Sequence, residues 1–371
     1  MTVSHPQPGR AEADHQPGRD TDDCPVDLVR VDPAGPGFTR RRRGRGFSYH
    51  DESGAVIADP AEIARLKALV IPPAWQDVWI SPDPQGHIQA VGTDAAGRRQ
   101  YRYHDEWRRA RDVIKYDRVL TLGAKLGDVR AEIVRRLGEQ GLGRDRVLAG
   151  AVRMLDVGVF RAGGEQYAPS DDDEDGTFGL ATLRRDHVSL KRGAVLFQYP
   201  AKGNIPRTLA LRDPLLHRVV GSLLRRKGGG EELLAYKIRR DWCDVKTADL
   251  NGAVKELAGE DYTCKDLRTW NATVLAAVAL AAGSAETGVP GSARGRKRIV
   301  TAAVKQVSEH LGNTPTVARS SYVDPRVLER FDDGRTVLPV LQKLEGCEAG
   351  LPRDDGSRAV LERAVVELIT G

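Results

Sequence analysis

Apolar positions are sparse over residues 1–35, which are rich in Pro, Gly, Asp and His, and this pattern predicts a disordered tail. Ordered sequence is expected from about Gly46, Phe47 and Tyr49. Asp59, Pro60 and Glu62 read as a helix start: a capping side chain, a proline at the first helical position and an acid in the first turn. Ile63, Leu66 and Leu69 then recur at helical spacing until Pro72 and Pro73 end the run. Short β-type segments at 78–80, 87–91 and 100–103 follow, punctuated by Pro and Gly. These elements predict a small α+β module closing near residue 112.

From about Tyr116 the period becomes helical. Val147, Leu148, Ala151, Val152, Leu155 and Val159 make one apolar face that runs into Gly158, Gly163 and Gly164. Residues 177–212 read as a strand group, with Val188, Leu190, Val195, Phe197 and Tyr199 and a turn at Lys202, Gly203 and Asn204. Helical sequence resumes at 215–224. The Ala-rich apolar run 273–282 is too short for the roughly 18 residues of a membrane helix and predicts a buried core helix. A Gly/Ser/Pro/basic linker is expected over 283–298. Ile299, Val300, Ala303, Val304, Val307 and Leu311 form another amphipathic helix stopped by Gly312, and Asp324-Pro325 opens a further one.

Composition is that of an ordinary folded chain, with 40% hydrophobic residues, and no apolar leader begins the sequence, so a cytoplasmic protein is expected. The excess of 57 basic over 52 acidic residues is small, but its distribution is uneven. Acids crowd the tail and Asp171 to Asp175; arginines cluster at Arg40 to Arg43, Arg108 to Arg111 and Arg294 to Arg298. The basic surface is therefore stronger than the net charge of +5, and points to a polyanionic partner. The 4 cysteines show no zinc or redox spacing and the 8 histidines are scattered, so no metal site is expected.

Five positions stand out for chemistry. Arg161 follows an apolar helix in Phe160-Arg161-Ala162-Gly163-Gly164; Lys202 occupies the turn between strands; Arg268 stands just before the buried helix, three residues after Lys265. Asn313 opens Gly312-Asn313-Thr314-Pro315, and Tyr322 follows Ser320 and Ser321. With Ile71-Pro72-Pro73-Ala74-Trp75, Asp77-Val78-Trp79-Ile80 and Arg99-Gln100-Tyr101-Arg102-Tyr103, the order and spacing of these motifs resemble the type IB topoisomerases of poxviruses and bacteria over roughly residues 37–335.

That resemblance implies transient cleavage of one strand of duplex DNA, with relaxation of positive and negative supercoils. Tyr322 would attack the phosphorus to form a 3′-phosphotyrosyl link that conserves the bond energy, so no ATP is needed. Arg161 and Arg268 would present planar donor forks to the phosphate oxygens, and Asn313 a further hydrogen bond. Lys202 would be the general acid for the departing 5′-hydroxyl, with Lys265 assisting. Two arginines neutralise the charge a divalent metal would bear, so no cofactor is expected. Gln100, Tyr101, Tyr103 and Tyr167 would contact DNA. The pattern departs from the family at Gly164, where many members carry Asn, and at Asn313, where other branches carry His.

The implied architecture is α+β, a bilobed clamp. A tail (1–35) precedes an N-terminal domain of antiparallel sheet plus helix (36–112); a larger, mostly helical catalytic domain with a small sheet (113–335) precedes a C-terminal extension (336–371), with a helix-rich connection near 105–125. The expected particle is a nucleoid-associated monomer. Two rivals remain: a tyrosine recombinase, which normally has His where Lys265 stands, and a DNA-binding protein without catalysis.

Overall fold

The computed structural model describes residues 26–164, 176–201, 205–344, 351–352 and 354–371. The chain divides into two compact units between Tyr116 and Asp117.

The first unit is built on five strands: β1 (Phe38–Arg43), β2 (Gly46–His50), β3 (Gln76–Ile80), β4 (Ile88–Thr93) and β5 (Arg99–Tyr103), in the order β2-β1-β3-β4-β5 and antiparallel throughout. Helix α1 (Pro60–Ala68) starts as its sequence predicts, with the Asp59 carboxylate accepting from the Ala61 N–H. Leu66 of α1 packs with Tyr49, Ile71, Val78, Ile80 and Ala90 in this unit's core.

Two expectations change here. Order begins before residue 35: Val29 bridges to Gly86, the Val31 N–H donates to His87 Nδ1, and Arg30 lies over the Trp107 ring. Arg40, counted above with the arginine clusters of the basic surface, is engaged internally. It donates to the carbonyls of Ile71, Pro72 and Trp75 at 2.8, 2.6 and 3.2 Å and stacks on Phe47, while Arg41, Arg42 and Arg43 are exposed. Strand alternation puts Arg41 and Arg43 on the opposite face of β1, while Arg42 shares the face of Arg40 and is exposed.

The boundary between units falls inside a single helix, α2 (Asp105–Leu137), which spans the stretch near 105–125 where a helix-rich connection was expected. Within the second unit its residues Val119, Leu122, Leu126, Val129, Ile133 and Leu137 form a continuous buried seam. Helix α3 (Arg144–Gly158) buries the apolar face read from sequence and also Arg153 and Asp156. A three-stranded antiparallel sheet follows, β6 (Val188–Lys191), β7 (Ala194–Ala201) and β8 (Ile205–Leu211), then α4 (Pro214–Leu224), the hairpin β9 (Ala235–Ile238) and β10 (Asp241–Asp244), and α5 (Thr247–Ala258).

Helix α6 (Cys264–Gly283) is buried on every side from Asp266 to Ala281, and beyond Thr273 its sequence is accordingly apolar all round and rich in alanine. Helix α7 (Ala293–Leu311) buries Ile299, Val300, Ala303, Val304, Val307 and Leu311, as read, but it starts five residues before the expected linker ends, so Arg294 to Arg298 lie on its first turns.

The short α8 (Pro315–Val317), a π-helical turn (Ala318–Tyr322), α9 (Pro325–Asp332) and α10 (Leu338–Leu341) lead to α11 (Asp355–Thr370). The last helix is bound by a buried charge network: Arg130 of α2 pairs with Asp156 of α3 and Glu362 of α11, and Arg358 of α11 pairs with Asp156 and Glu362 and donates to Asn271 of α6. No helix among the described residues is long and apolar enough to cross a membrane.

Candidate active site

Four of the residues singled out in the sequence meet at the C-terminal ends of α3 and α7. Each helix stops in the left-handed backbone region. At α7 the stop is Gly312 (φ 63°), and the Asn313 N–H returns to the Ser308 carbonyl at 2.9 Å. At α3 it is Val159 (φ 49°), a β-branched residue in a conformation that usually selects glycine, held by complete burial and by a hydrogen bond to its carbonyl from Arg268 Nη1 at 2.6 Å. Arg161 and Asn313 each lie two residues beyond the last carbonyl that Arg268 grips.

Arg268 is 3% exposed on the second turn of α6. Its Nη1 and Nη2 donate to the carbonyls of Val159 and Leu311, so one guanidinium joins the ends of α3 and α7. Burial, then the nearby positive charge of Arg161, push its pKa down to about 10, against the opposing pull of a hydrogen bond with Tyr322. Its Nε is buried without a hydrogen-bond partner among the described residues, and so is the Asn313 Nδ2. The Oδ1 of Asn313 accepts from Arg161 Nη2, which also donates to the Gly312 carbonyl at 3.3 Å. The amide nitrogen is thereby turned away from Arg161. Buried, unsatisfied donors beside two guanidinium groups make a place for an anion.

The backbone of Arg161 is fixed from behind. The N–H groups of Leu180 and Ala181 donate to the carbonyls of Arg161 and Ala162 at 2.9 and 2.8 Å. Gly163 and Gly179 permit this approach: a Cβ on Gly179 would lie 2.2 Å from the Gly163 Cα. Thr247, at the start of α5, donates to the Gly163 carbonyl.

Tyr322 closes the π-helical turn and is 4% exposed, its ring centroid 5.3 Å from the Arg268 guanidinium. Thr314 caps the turn that leads to it, accepting from the Val317 N–H. Thr273, buried in α6, holds the other side: its hydroxyl donates to the Tyr322 carbonyl at 3.3 Å and accepts from the Asp324 N–H at 3.1 Å. The nucleophile candidate is thus pinned in its backbone on both flanks. Thr273 and Thr314 were not singled out in the sequence; Thr314-Pro315 has the residue types of a helix start, a signal that speaks of a cap and not of a role at the site.

The remaining candidates are placed as follows. Lys265 is exposed on the first turn of α6. Lys202 lies outside the described residues, between the paired Ala201 and Ile205, and Tyr167 and Asp171 to Asp175 also lie outside them. In the first unit, Gln100 donates to Asp94 Oδ2 at 3.0 Å from one face of the edge strand β5. Tyr101 and Tyr103 stack on the other, 6.0 Å apart and 19° from parallel.

Comparison with known proteins gives the family. Residues 46–94 match the N-terminal domain of bacterial DNA topoisomerase IB, and residues 104–337 match the catalytic core of eukaryotic DNA topoisomerase I. The chain is 27% identical over 306 residues to the DNA topoisomerase 1B of Acanthamoeba polyphaga mimivirus, covering 80% of this chain and 88% of that one. It is 28% identical over 162 residues to the DNA topoisomerase 1 of Daucus carota, covering 43% of this chain and 19% of the plant protein's length. The matched core contains Arg161, Arg268, Asn313 and Tyr322, and with most of the chain covered by the two family matches, this protein is a member of the type IB DNA topoisomerases.

Proposed function

We propose that this enzyme relaxes supercoiled duplex DNA of either sign by cutting and resealing one strand through a 3′-phosphotyrosyl link to Tyr322, with neither ATP nor a divalent metal. One observation carries this reading: the buried Arg268 guanidinium faces the Tyr322 ring while its own Nε and the Asn313 Nδ2 await an acceptor.

A scissile phosphate set among Arg161, Arg268 and Asn313 supplies those acceptors. The pentacoordinate transition state concentrates charge on the non-bridging oxygens, where fixed donors in a dry site act most strongly. The Tyr322 oxygen forms a bond to phosphorus as the bond to the 5′-oxygen breaks; its proton is lost, and the 5′-oxygen takes one up. Lys202 is the proposed acid for that second step and Lys265 its assistant, because an alkoxide is a poor leaving group. Resealing is the reverse. The charge that a metal would neutralise is met by the two arginines. Gln100, Tyr101, Tyr103 and Tyr167 are proposed DNA contacts, and the enzyme is proposed to act as a monomer.

The test is relaxation of supercoiled plasmid in EDTA without nucleotide, comparing wild type with Tyr322→Phe. The expected outcome is relaxation and a detergent-trapped, 3′-linked adduct for the wild type alone. Relaxation by Tyr322→Phe at the wild-type rate would assign the nucleophile elsewhere, and an inactive wild type that forms no adduct would refute the reaction.

A further inference from the structure

We infer that Arg207 is a positioning residue of the strand-cleavage site, acting with Arg268 to hold the ends of α3 and α7 together. This rests on the roles proposed above for Arg161, Asn313 and Tyr322. The observation is a repeated geometry. Arg268 donates to the carbonyls of Val159 and Leu311. Arg207, reaching in from β8, donates through Nη2 to the carbonyls immediately before them, Gly158 at 3.0 Å and His310 at 3.3 Å. Two arginines from different elements therefore bridge the same two helix ends, one residue apart along each.

The chemistry of those ends explains the device. The last carbonyls of a helix lack intrahelical partners and carry the negative end of the helix dipole, so a cation with several donors is the matching group. Arg207 is half-buried, and its guanidinium lies 5.7 Å from the centre of the Phe160 ring, which itself stacks on Tyr199, the cross-strand neighbour of Arg207. Neither Arg207 nor Arg268 forms an ion pair with a carboxylate among the described residues; each donates to two backbone carbonyls. A surface arginine would be solvated or paired. One that sits beside Arg161 and Arg268 despite their like charge is held there by the carbonyls.

Two bridges fix more than one. A single guanidinium joining two helix ends leaves them free to pivot about it, whereas two bridges in line remove the pivot. Arg161 and Asn313 project from those ends, so their separation and mutual hydrogen bond depend on that rigidity. Displacements of about 1 Å at a phosphoryl-transfer site cost about 10²-fold in rate.

The experiment uses the full chain with Arg207→Gln and Arg207→Lys, and a duplex whose cleavage site has been mapped with the wild type. Single-turnover adduct formation at saturating DNA and the DNA dissociation constant are measured separately. Both are repeated with a methylphosphonate replacing the scissile phosphate, which removes one anionic oxygen. The expected result for Arg207→Gln is a cleavage rate about 10²-fold lower at an unchanged dissociation constant, with the penalty largely lost on the methylphosphonate; Arg207→Lys falls between.

A wild-type cleavage rate for Arg207→Gln overturns the inference, as does a loss confined to DNA affinity or an equal penalty on both substrates. Should Arg207→Gln fail to fold, a wild-type rate for Arg207→Lys overturns it. A wild type that itself forms no adduct overturns the proposed function instead, so the two failures are told apart.

Discussion

The guanidinium of Arg268 lies 5.3 Å from the centre of the Tyr322 ring, inside the protein, with both terminal nitrogens committed to backbone carbonyls. The Nε has no hydrogen-bond partner among the described residues, and Arg161 and Arg207 add like charge nearby. An anion relieves all three strains at once. Sulfate is therefore expected to raise the melting temperature of the wild type through mass action, and to raise that of Arg268→Met markedly less. Thermal melts across a sulfate series check this; equal slopes would place the bound anion elsewhere.

Thr273 ties the carbonyl of Tyr322 to the N–H of Asp324 through one hydroxyl. Thr273→Val keeps the shape and removes both bonds, stranding a buried N–H. The expected cost is about 1–3 kcal/mol of stability, read from chemical denaturation, with slower adduct formation and unchanged DNA binding.

Arg130, Asp156, Arg358 and Glu362 are all nearly inaccessible to solvent and mutually paired. Removing one charge leaves the others uncompensated, so Glu362→Gln is expected to cost about 3–5 kcal/mol. The same pairing holds the Asp156 carboxyl well below the usual carboxylate range. Its contribution is present above the unfolded value near 3.9 and is lost as pH falls through the folded one. Helix α11 lies beyond the matched core, yet it closes this network. Deleting residues 351–371 should abolish cooperative unfolding, as calorimetry would show.

His310 is pushed down to about 4 by burial and then by the charge of Arg207. Below the unfolded value near 6.5 the unfolded chain takes up a proton that the folded one refuses. Stability should thus fall as pH drops from about 6.5 towards 4, by up to about 1.4 kcal/mol per pH unit, and be insensitive to this group above that window. The difference between wild type and His310→Gln in denaturation midpoints over that range isolates the effect; parallel curves would contradict it.

The sequence reading held best where burial follows a simple period. The apolar face of α7 was legible residue by residue, and α6 announced itself by being apolar on all sides beyond Thr273. Asp59-Pro60 and Asp324-Pro325 marked two helix starts because cap and proline chemistry is local. Arg161, Arg268, Asn313 and Tyr322 were found through motif order, and the fold brings them together. What escaped was non-local. Arg207 and Arg40 look like strand arginines until the carbonyls they serve are known. The inner face of α11 carries Arg358 and Glu362, which reads as solvent-facing unless their partners on α2 and α3 are in view. The length of α2 was hidden by charged residues surrounding a narrow apolar seam.

The turn that delivers Tyr322 is π-helical, closed by the Val323 N–H on the Ala318 carbonyl at 3.1 Å, five residues back. Such a turn is an α-helical turn with one residue inserted. The direction in which the tyrosine points thereby depends on a count of residues in the backbone turn. Deleting Ser320 alone would restore α spacing and swing position 322 by about 100° around the axis, leaving every charged group of the site in place around a phenol that faces the wrong way.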